Sequence, residues 1–237
     1  MSQKRRARSL GLSAVAVAGA WVVAVAGASA QTLPRPVSGD SWTGFHIGAH
    51  TGGVMSQETR NGITPLAEVK RQSGLGWLAG LHVGYDQRFA ANALAGLEAT
   101  MSGMVLSTNS QSLIHAPSFY LSRANWLATL TGRLGWADGP WLVYLRGGYA
   151  AAQVKFTGLE TTANDSVHVG GVRHGWTIGG GIEYQVSRRI GVGIEYGHFD
   201  FGTQHYLATT TLGSPLNSRV RYSLDRVTLR LNYRFAD

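Results

Sequence analysis

Cysteine is absent from the 237 residues, so no disulfide framework, thiolate nucleophile or thiolate zinc site is available. Lysine is nearly absent too: beyond residue 30 only Lys70 and Lys155 remain. Beyond residue 30 there is also no apolar run of about 18 residues, which excludes a bundle of membrane-crossing helices. Charged residues make up only 14% of the chain. The formal net charge of +8 belongs largely to the extreme N-terminus, because Lys4, Arg5, Arg6 and Arg8 precede any acid and +4 remains without them. No Lys/Arg run survives elsewhere to grip nucleic acid, so none is expected as a partner.

What is present begins with an export signal. KRRAR at Lys4–Arg8, an apolar stretch from Leu10 to Gly27 and an A-x-A site at Ala28-Ser29-Ala30 predict a signal peptide over residues 1–30, cleaved before Gln31. No cysteine follows that site, so a lipid-anchored form is excluded. Gln31–Ser41 has two prolines and no periodicity and reads as a periplasmic linker, residues 31–41. Residues 42–237 then form a single domain.

Within that domain the period is two, the signature of β-strands. The clearest stretch is Gly175–Phe201. Trp176, Ile178, Ile182 and Tyr184 share one parity, opposite Thr177, Gly179, Gly181 and Glu183. After the polar turn Ser187–Arg189, Val192, Ile194 and Tyr196 oppose Gly193, Glu195 and Gly197. Six further stretches repeat this theme. They begin at Trp42, around Trp77 and at Ala93, and they include Asn125–Trp136, Trp141–Tyr149 and Arg226–Phe235. Three connections are short, near Gln87–Asn92, Ala137–Pro140 and Ser187–Ile190. Four polar stretches read as long loops: Thr51–Ser73, Thr108–Ser122, Phe156–Val172 and Gly202–Ser218. The fold class expected is therefore all-β, an eight-stranded antiparallel up-and-down transmembrane β-barrel with its apolar face towards lipid.

Two residue sets support that orientation. Trp126 and Trp136 lie ten residues apart on one face, roughly 25 Å along a tilted barrel, the height of a membrane's apolar band. Trp141/Tyr149, Trp77/Tyr85 and Trp176/Tyr184 repeat the spacing, which predicts aromatic girdles at both interfaces. On the opposite parity stand Glu98, Glu183, Glu195, Arg133, Arg146, Arg226, Arg230 and Arg234, with His82, Asp86 and Asn125. Eight strands leave a bore just wide enough for side chains, and a buried charge must be paired. A lumen charge network of Glu98, Glu183, Glu195, Arg133, Arg146 and Arg230 is expected. A soluble lipocalin-type barrel would reverse the faces and put the charged face in water, a surface on which two lysines would be few.

WTGFHIGAHTGG at Trp42–Gly53, ALAGLEATMSG at Ala93–Gly103 and GWTIGGGIEYQVSRRIGVGIEYGHFDFG at Gly175–Gly202 resemble strands of the alphaproteobacterial eight-stranded outer-membrane proteins of the immunogen and opacity type. These are similar in architecture to the OmpA transmembrane barrel. The resemblance covers most of residues 42–235 and implies an outer-membrane protein, with outer-membrane lipids, lipopolysaccharide and the barrel-assembly machinery as partners. It implies a structural or envelope-integrity role and exposed loops, antigenic or adhesive, open to host or surface ligands. Members end on an aromatic residue, whereas here Phe235 is followed by Ala236-Asp237.

Two alternatives stay open, a narrow porin for small solutes and a lipid-A-modifying enzyme. Asp165, Ser166 and His168 lie close in one expected loop, and His198, Asp200 and His205 near another. No nucleophile motif frames a serine, so no enzyme activity is expected. His46 and His50, roughly 13 Å apart on one strand face, cannot share a metal directly. No metal or cofactor is expected.

Overall fold

A computed structural model describes residues 42–64, 69–111, 118–160, 165–209 and 215–235. The signal peptide, the linker and Ala236-Asp237 lie outside the described residues. The eight strands are β1 (Gly44–Thr64), β2 (Val69–Arg88), β3 (Ala93–Gln111), β4 (Ser118–Asp138), β5 (Trp141–Glu160), β6 (Asp165–Gln185), β7 (Ile190–Thr209) and β8 (Pro215–Arg234). Each pairs antiparallel with its chain neighbours, and β8 closes on β1 from His46↔Arg234 up to Thr64↔Asn217. Closure leaves no free sheet edge, the condition for a β-structure to cross a bilayer.

The two faces are inverted relative to a soluble protein. Leu97, Leu134 and Leu145 point outward with 65% or more of their surface exposed, and the outward stripe of β8 is Val227, Leu229, Leu231, Tyr233 and Phe235. Inward positions of the same strands are buried and mix charged residues such as Glu98, Arg133, Arg146 and Arg230 with polar, glycine and apolar ones. Soluble proteins rarely expose so continuous an apolar surface, so the lipocalin-type orientation is ruled out.

The strands are longer than the sequence pattern predicts. All four stretches read as long loops are mostly strand, with β1 running to Thr64 before β2 starts at Val69, and β7 running to Thr209 before β8 starts at Pro215. Strands of 19–21 residues reach roughly 50 Å along a barrel tilted near 40°, about twice the height of the apolar band. Above the lipid, outward positions no longer need apolar side chains. The alternation fades there while the hydrogen-bond ladder continues.

Two local departures have clear causes. Strand one was expected from Trp42, but β1 begins at Gly44, whose φ of 126° turns the chain. Trp42 folds under the barrel, where it is buried and its indole N–H donates to Gly139 O at 3.1 Å. Asn125, expected inward, is exposed. It is the extra residue of a bulge between Ala124 and Trp126, which pair with the consecutive residues Val154 and Gln153.

Inward glycines make room for the bore's large side chains. A Cβ on Gly179 would fall 2.3 Å from Tyr196 O and 3.0 Å from Gly197 Cα, both backbone atoms of β7. We expect Gly179→Val to destabilise the refolded barrel by about 1–3 kcal/mol, the usual cost of overpacking, measured as the urea unfolding midpoint in detergent micelles. An unchanged midpoint would contradict the packing described.

Candidate functional site in the barrel interior

Every strand sends at least one polar side chain into the periplasmic half of the bore. They are His46 and His50 (β1), His82 and Asp86 (β2), Glu98 (β3), Arg133 (β4), Arg146 (β5), Glu183 (β6), Glu195 (β7) and Arg226, Arg230 and Arg234 (β8), all buried. Five arginines face four carboxylates.

Register decides which charges meet. Arg133 grips Asp86 in a two-pronged contact, Nε to Oδ1 at 2.7 Å and Nη2 to Oδ2 at 2.6 Å. Its remaining nitrogen donates to Glu183 Oε1 at 3.2 Å. Arg234 Nη1 donates to the same Asp86 at 3.0 Å and to Trp42 O at 2.7 Å, so the N-terminal tryptophan is tied to the network. Arg230 spans two carboxylates. It donates to Glu98 Oε2 at 2.5 Å and Oε1 at 3.1 Å, and its Nη1 also reaches Glu195 Oε2. Arg146 bridges the same pair at 2.9 Å each. Glu195 further accepts from Arg226 Nη2 at 2.8 Å and from the Tyr144 hydroxyl at 2.7 Å. Bidentate and bridging guanidinium contacts are among the stronger hydrogen bonds available to a protein.

A histidine chain runs beside the charges. With Asn232 Oδ1 accepting from His82 Nε2 at 2.5 Å, His82 Nδ1 is left as an acceptor. His50 Nδ1, 3.2 Å away, must then donate, and His50 Nε2 accepts from the Ser102 hydroxyl at 2.8 Å. This chain of contacts ties β1, β2, β3 and β8 together.

The charged zone is capped at both ends. Towards the short turns, Trp42, Leu94, Ala137, Leu142 and Tyr144 form an apolar cluster. Arg133 stacks on the Tyr144 ring at 4.8 Å and Arg234 on Trp42 at 5.2 Å. Towards the long strand ends, a second cluster takes residues from seven of the eight strands, among them Val54, Leu78, Met104, Leu127, Ala150, Phe199 and Leu224. Arg226 stacks beneath it on the Phe199 ring at 5.0 Å. Sequence reasoning did not assemble this upper layer: apart from Val54 its residues lie outside the stretches read as loops, and Leu78, Leu127 and Phe199 sit at inward positions of the expected strands. Inward parity followed along those strands was the signal that would have found it.

The outward aromatics sort by height. Tyr85, Trp136, Trp141 and Tyr184 lie near the short turns, and Trp141 and Tyr184 pack against each other at 4.7 Å. Trp77, Trp126, Tyr149 and Trp176 lie further up, with Tyr149 and Trp176 adjacent across β5 and β6. The clusters considered for catalysis do not assemble. His198 bonds Asp225 at 2.8 Å on the outward face, whereas Asp200 bonds Arg221 at 2.6 Å. The side chains of Asp165, Ser166 and His168 lie outside the described residues.

An inverted, closed, eight-stranded antiparallel barrel with a charged bore defines a transmembrane β-barrel. The comparisons place it further: residues 18–235 match the outer membrane protein beta-barrel domain, and the chain belongs to that family. It is 26% identical over 227 residues to the 31 kDa outer-membrane immunogenic protein of Brucella melitensis, covering 90% of this chain and 91% of that one. It is 31% identical over 93 residues to the 25 kDa outer-membrane immunogenic protein of Brucella abortus, covering 38% of this chain and 40% of the other. Among solved structures, the fold is similar to the outer membrane protein OprG of Pseudomonas aeruginosa (TM-score 0.51, 11% identity, 81% of this chain and 97% of that one). This is an integral protein of the bacterial outer membrane.

Truncating one partner of the network strands the others without water. We expect Arg230→Met to cost about 3–5 kcal/mol of unfolding free energy, the range for breaking a buried ion pair. Outward Leu229→Ala is expected to cost less, because lipid or detergent fills the space. Equal losses for the two variants would contradict the network's role.

Proposed function

We propose that this barrel is a closed structural element of the outer membrane that presents its extended strand ends and connecting loops at the cell surface, without conducting solutes or catalysing a reaction. One observation carries the reading: the bore is filled by buried side chains, an apolar cluster and a charged zone below and a second, largely apolar layer above that also takes in Arg173 and Glu58. A porin needs a continuous water-lined path, and the layer around Leu127, Phe199 and Leu224 is packed with buried side chains, its one arginine, Arg173, lying against the Tyr222 ring at 5.4 Å.

The charged zone stiffens the cylinder by cross-linking strands that are not neighbours: Arg230 on β8 joins Glu98 on β3 and Glu195 on β7. Trp77, Trp126, Trp136, Trp141, Trp176, Tyr85, Tyr149 and Tyr184 act as interfacial girdles that hold the barrel at a fixed depth. Outer-membrane lipids and lipopolysaccharide surround it, and the barrel-assembly machinery inserts it. The projecting ends are the surface open to antibodies or host ligands, in keeping with the immunogenic proteins it resembles. That resemblance also supports a non-enzymatic role.

Planar-bilayer recording on the refolded full-length protein tests the reading. We expect no unitary steps above the protein-free baseline, and reproducible single-channel conductance would replace a closed barrel with a narrow porin. In parallel, the mass spectrum of lipid A is expected to be the same with and without the gene. A mass change would assign lipid-A modification.

A further inference from the structure

The bore accounts for the inward residues and the apolar band for most outward ones. One outward group belongs to neither. Arg71 on β2, Thr59 on β1, Arg219 and Arg221 on β8 and Thr203 on β7 line an open groove of about 450 Å³. Register brings them together. Thr59 pairs with Arg71 on one side and with Arg221 on the other, and Arg221 pairs in turn with Thr203. The Arg71 and Arg221 backbones are therefore about two strand spacings apart, roughly 10 Å, and Arg219 is the next outward position beyond Arg221, about 7 Å along the strand. Three guanidiniums converge on one patch.

The groove is organised as well as basic. A bulge in β7 between Asp200 and Thr203 places Gly202 at a φ of 67°. The Asp200 carboxylate accepts from Gly202 N at 2.7 Å and from Arg221 Nη2 at 2.6 Å, which orients Arg221. Asp225, the next acid on this face, is engaged by the Tyr196 hydroxyl at 2.7 Å and by His198 at 2.8 Å. Among the described residues, neither Arg71 nor Arg219 has a carboxylate partner.

Parity and height identify the occupant. The arginines continue the outward stripes of β2 and β8, so they face sideways into the leaflet's headgroup zone. Among the described side chains, the last apolar outward residue is Leu75 on β2 and Val227 on β8. Arg71 stands four residues beyond Leu75 and Arg221 six beyond Val227, which is roughly 10–15 Å above the apolar edge along a tilted barrel. In an outer membrane that level holds the phosphorylated headgroup and acidic innermost sugars of lipopolysaccharide. Guanidinium forks suit phosphate and carboxylate oxygens.

We propose that Arg71, Arg219 and Arg221 form a binding site for the anionic headgroup and innermost sugars of lipopolysaccharide, with Thr59 and Thr203 as hydroxyl partners. The site rests on the outer-membrane location and not on the closed bore, so channel conductance would leave it untouched. The test uses the refolded full-length protein in neutral detergent and measures binding of truncated (deep-rough) lipopolysaccharide. The probes for comparison are the same lipid stripped of phosphate and acidic sugars, a heparin oligosaccharide and inorganic phosphate.

For Arg71→Gln/Arg219→Gln/Arg221→Gln we expect roughly tenfold weaker binding, about the worth of one charge-assisted contact. Arg188→Gln/Arg189→Gln, which removes two positive charges from a short turn at the opposite end of the barrel, is the control and is expected to bind as the parent does. All forms should keep the heat-dependent gel shift of a folded barrel. Undiminished binding by the triple variant would overturn the proposal, as would equal loss in the control or equal binding of the stripped lipid. Tighter binding of heparin than of lipopolysaccharide would reassign the groove to a sulfated glycan. Displacement of the lipid by inorganic phosphate alone would reassign it to a free anion.

Discussion

Arg230 reaches Glu98 on β3 and Glu195 on β7 from its own place on β8, and the rest of the interior is arranged around that brace. Eight strands enclose a space that side chains can fill. Charges on the inner face therefore have only one another, and each carboxylate of the zone meets at least one guanidinium. Such a network is weak evidence for net stability, since desolvating the ions offsets much of their attraction. Its stronger consequence is specificity. Sliding one strand by a single residue would turn its arginines or glutamates towards lipid and its leucines into the bore, a cost no neighbouring contact could offset.

Charge alone would leave a polar thread through the membrane. Apolar clusters lie at either end of the charged zone, and arginines join each layer to the next. Arg133 and Arg234 stack on Tyr144 and Trp42 below, and Arg226 stacks on Phe199 above. Each guanidinium presents its edge to carboxylates and its face to a ring. Trp42 is held twice, through Gly139 O and through Arg234, so the residue that enters the barrel also seals it. Outside, the same strands carry leucine and valine through the lipid and end in a basic patch above it. A single set of eight strands thus meets three environments in sequence: bore, bilayer and headgroup.

Much of this was legible in the sequence, because period two leaves little freedom. Once Leu229 and Leu231 are assigned to lipid, Arg226, Arg230 and Arg234 must face the bore. Strand number, order and the three short turns follow from the same pattern. Pairings did not follow, because Asp86 meets Arg133 and Arg234 only through a register that parity does not fix. The full length of the strands was hidden for a different reason. Outward positions beyond the bilayer lose their apolar identity, so the stretches after Thr51 and Thr108 read as loops although the ladder continues through them. Asn125 was misplaced because a bulge shifts parity by one without a residue-type signal. Trp42 reads as strand because it directly precedes the alternating Phe45, Ile47 and Ala49, and only Gly44's positive φ shows that the chain has turned.

A chain without cysteine lends itself to a direct test of the sealed interior. Thr131 lies in the charged zone with 1% of its surface exposed, and Thr131→Cys puts a thiol there without adding bulk. A small charged thiol reagent applied to the refolded barrel in vesicles should leave that position unmodified while labelling Asp138→Cys in the exposed turn within minutes. Labelling of Thr131→Cys at a rate comparable to the turn would show that water and ions pass through the bore, and would contradict the account.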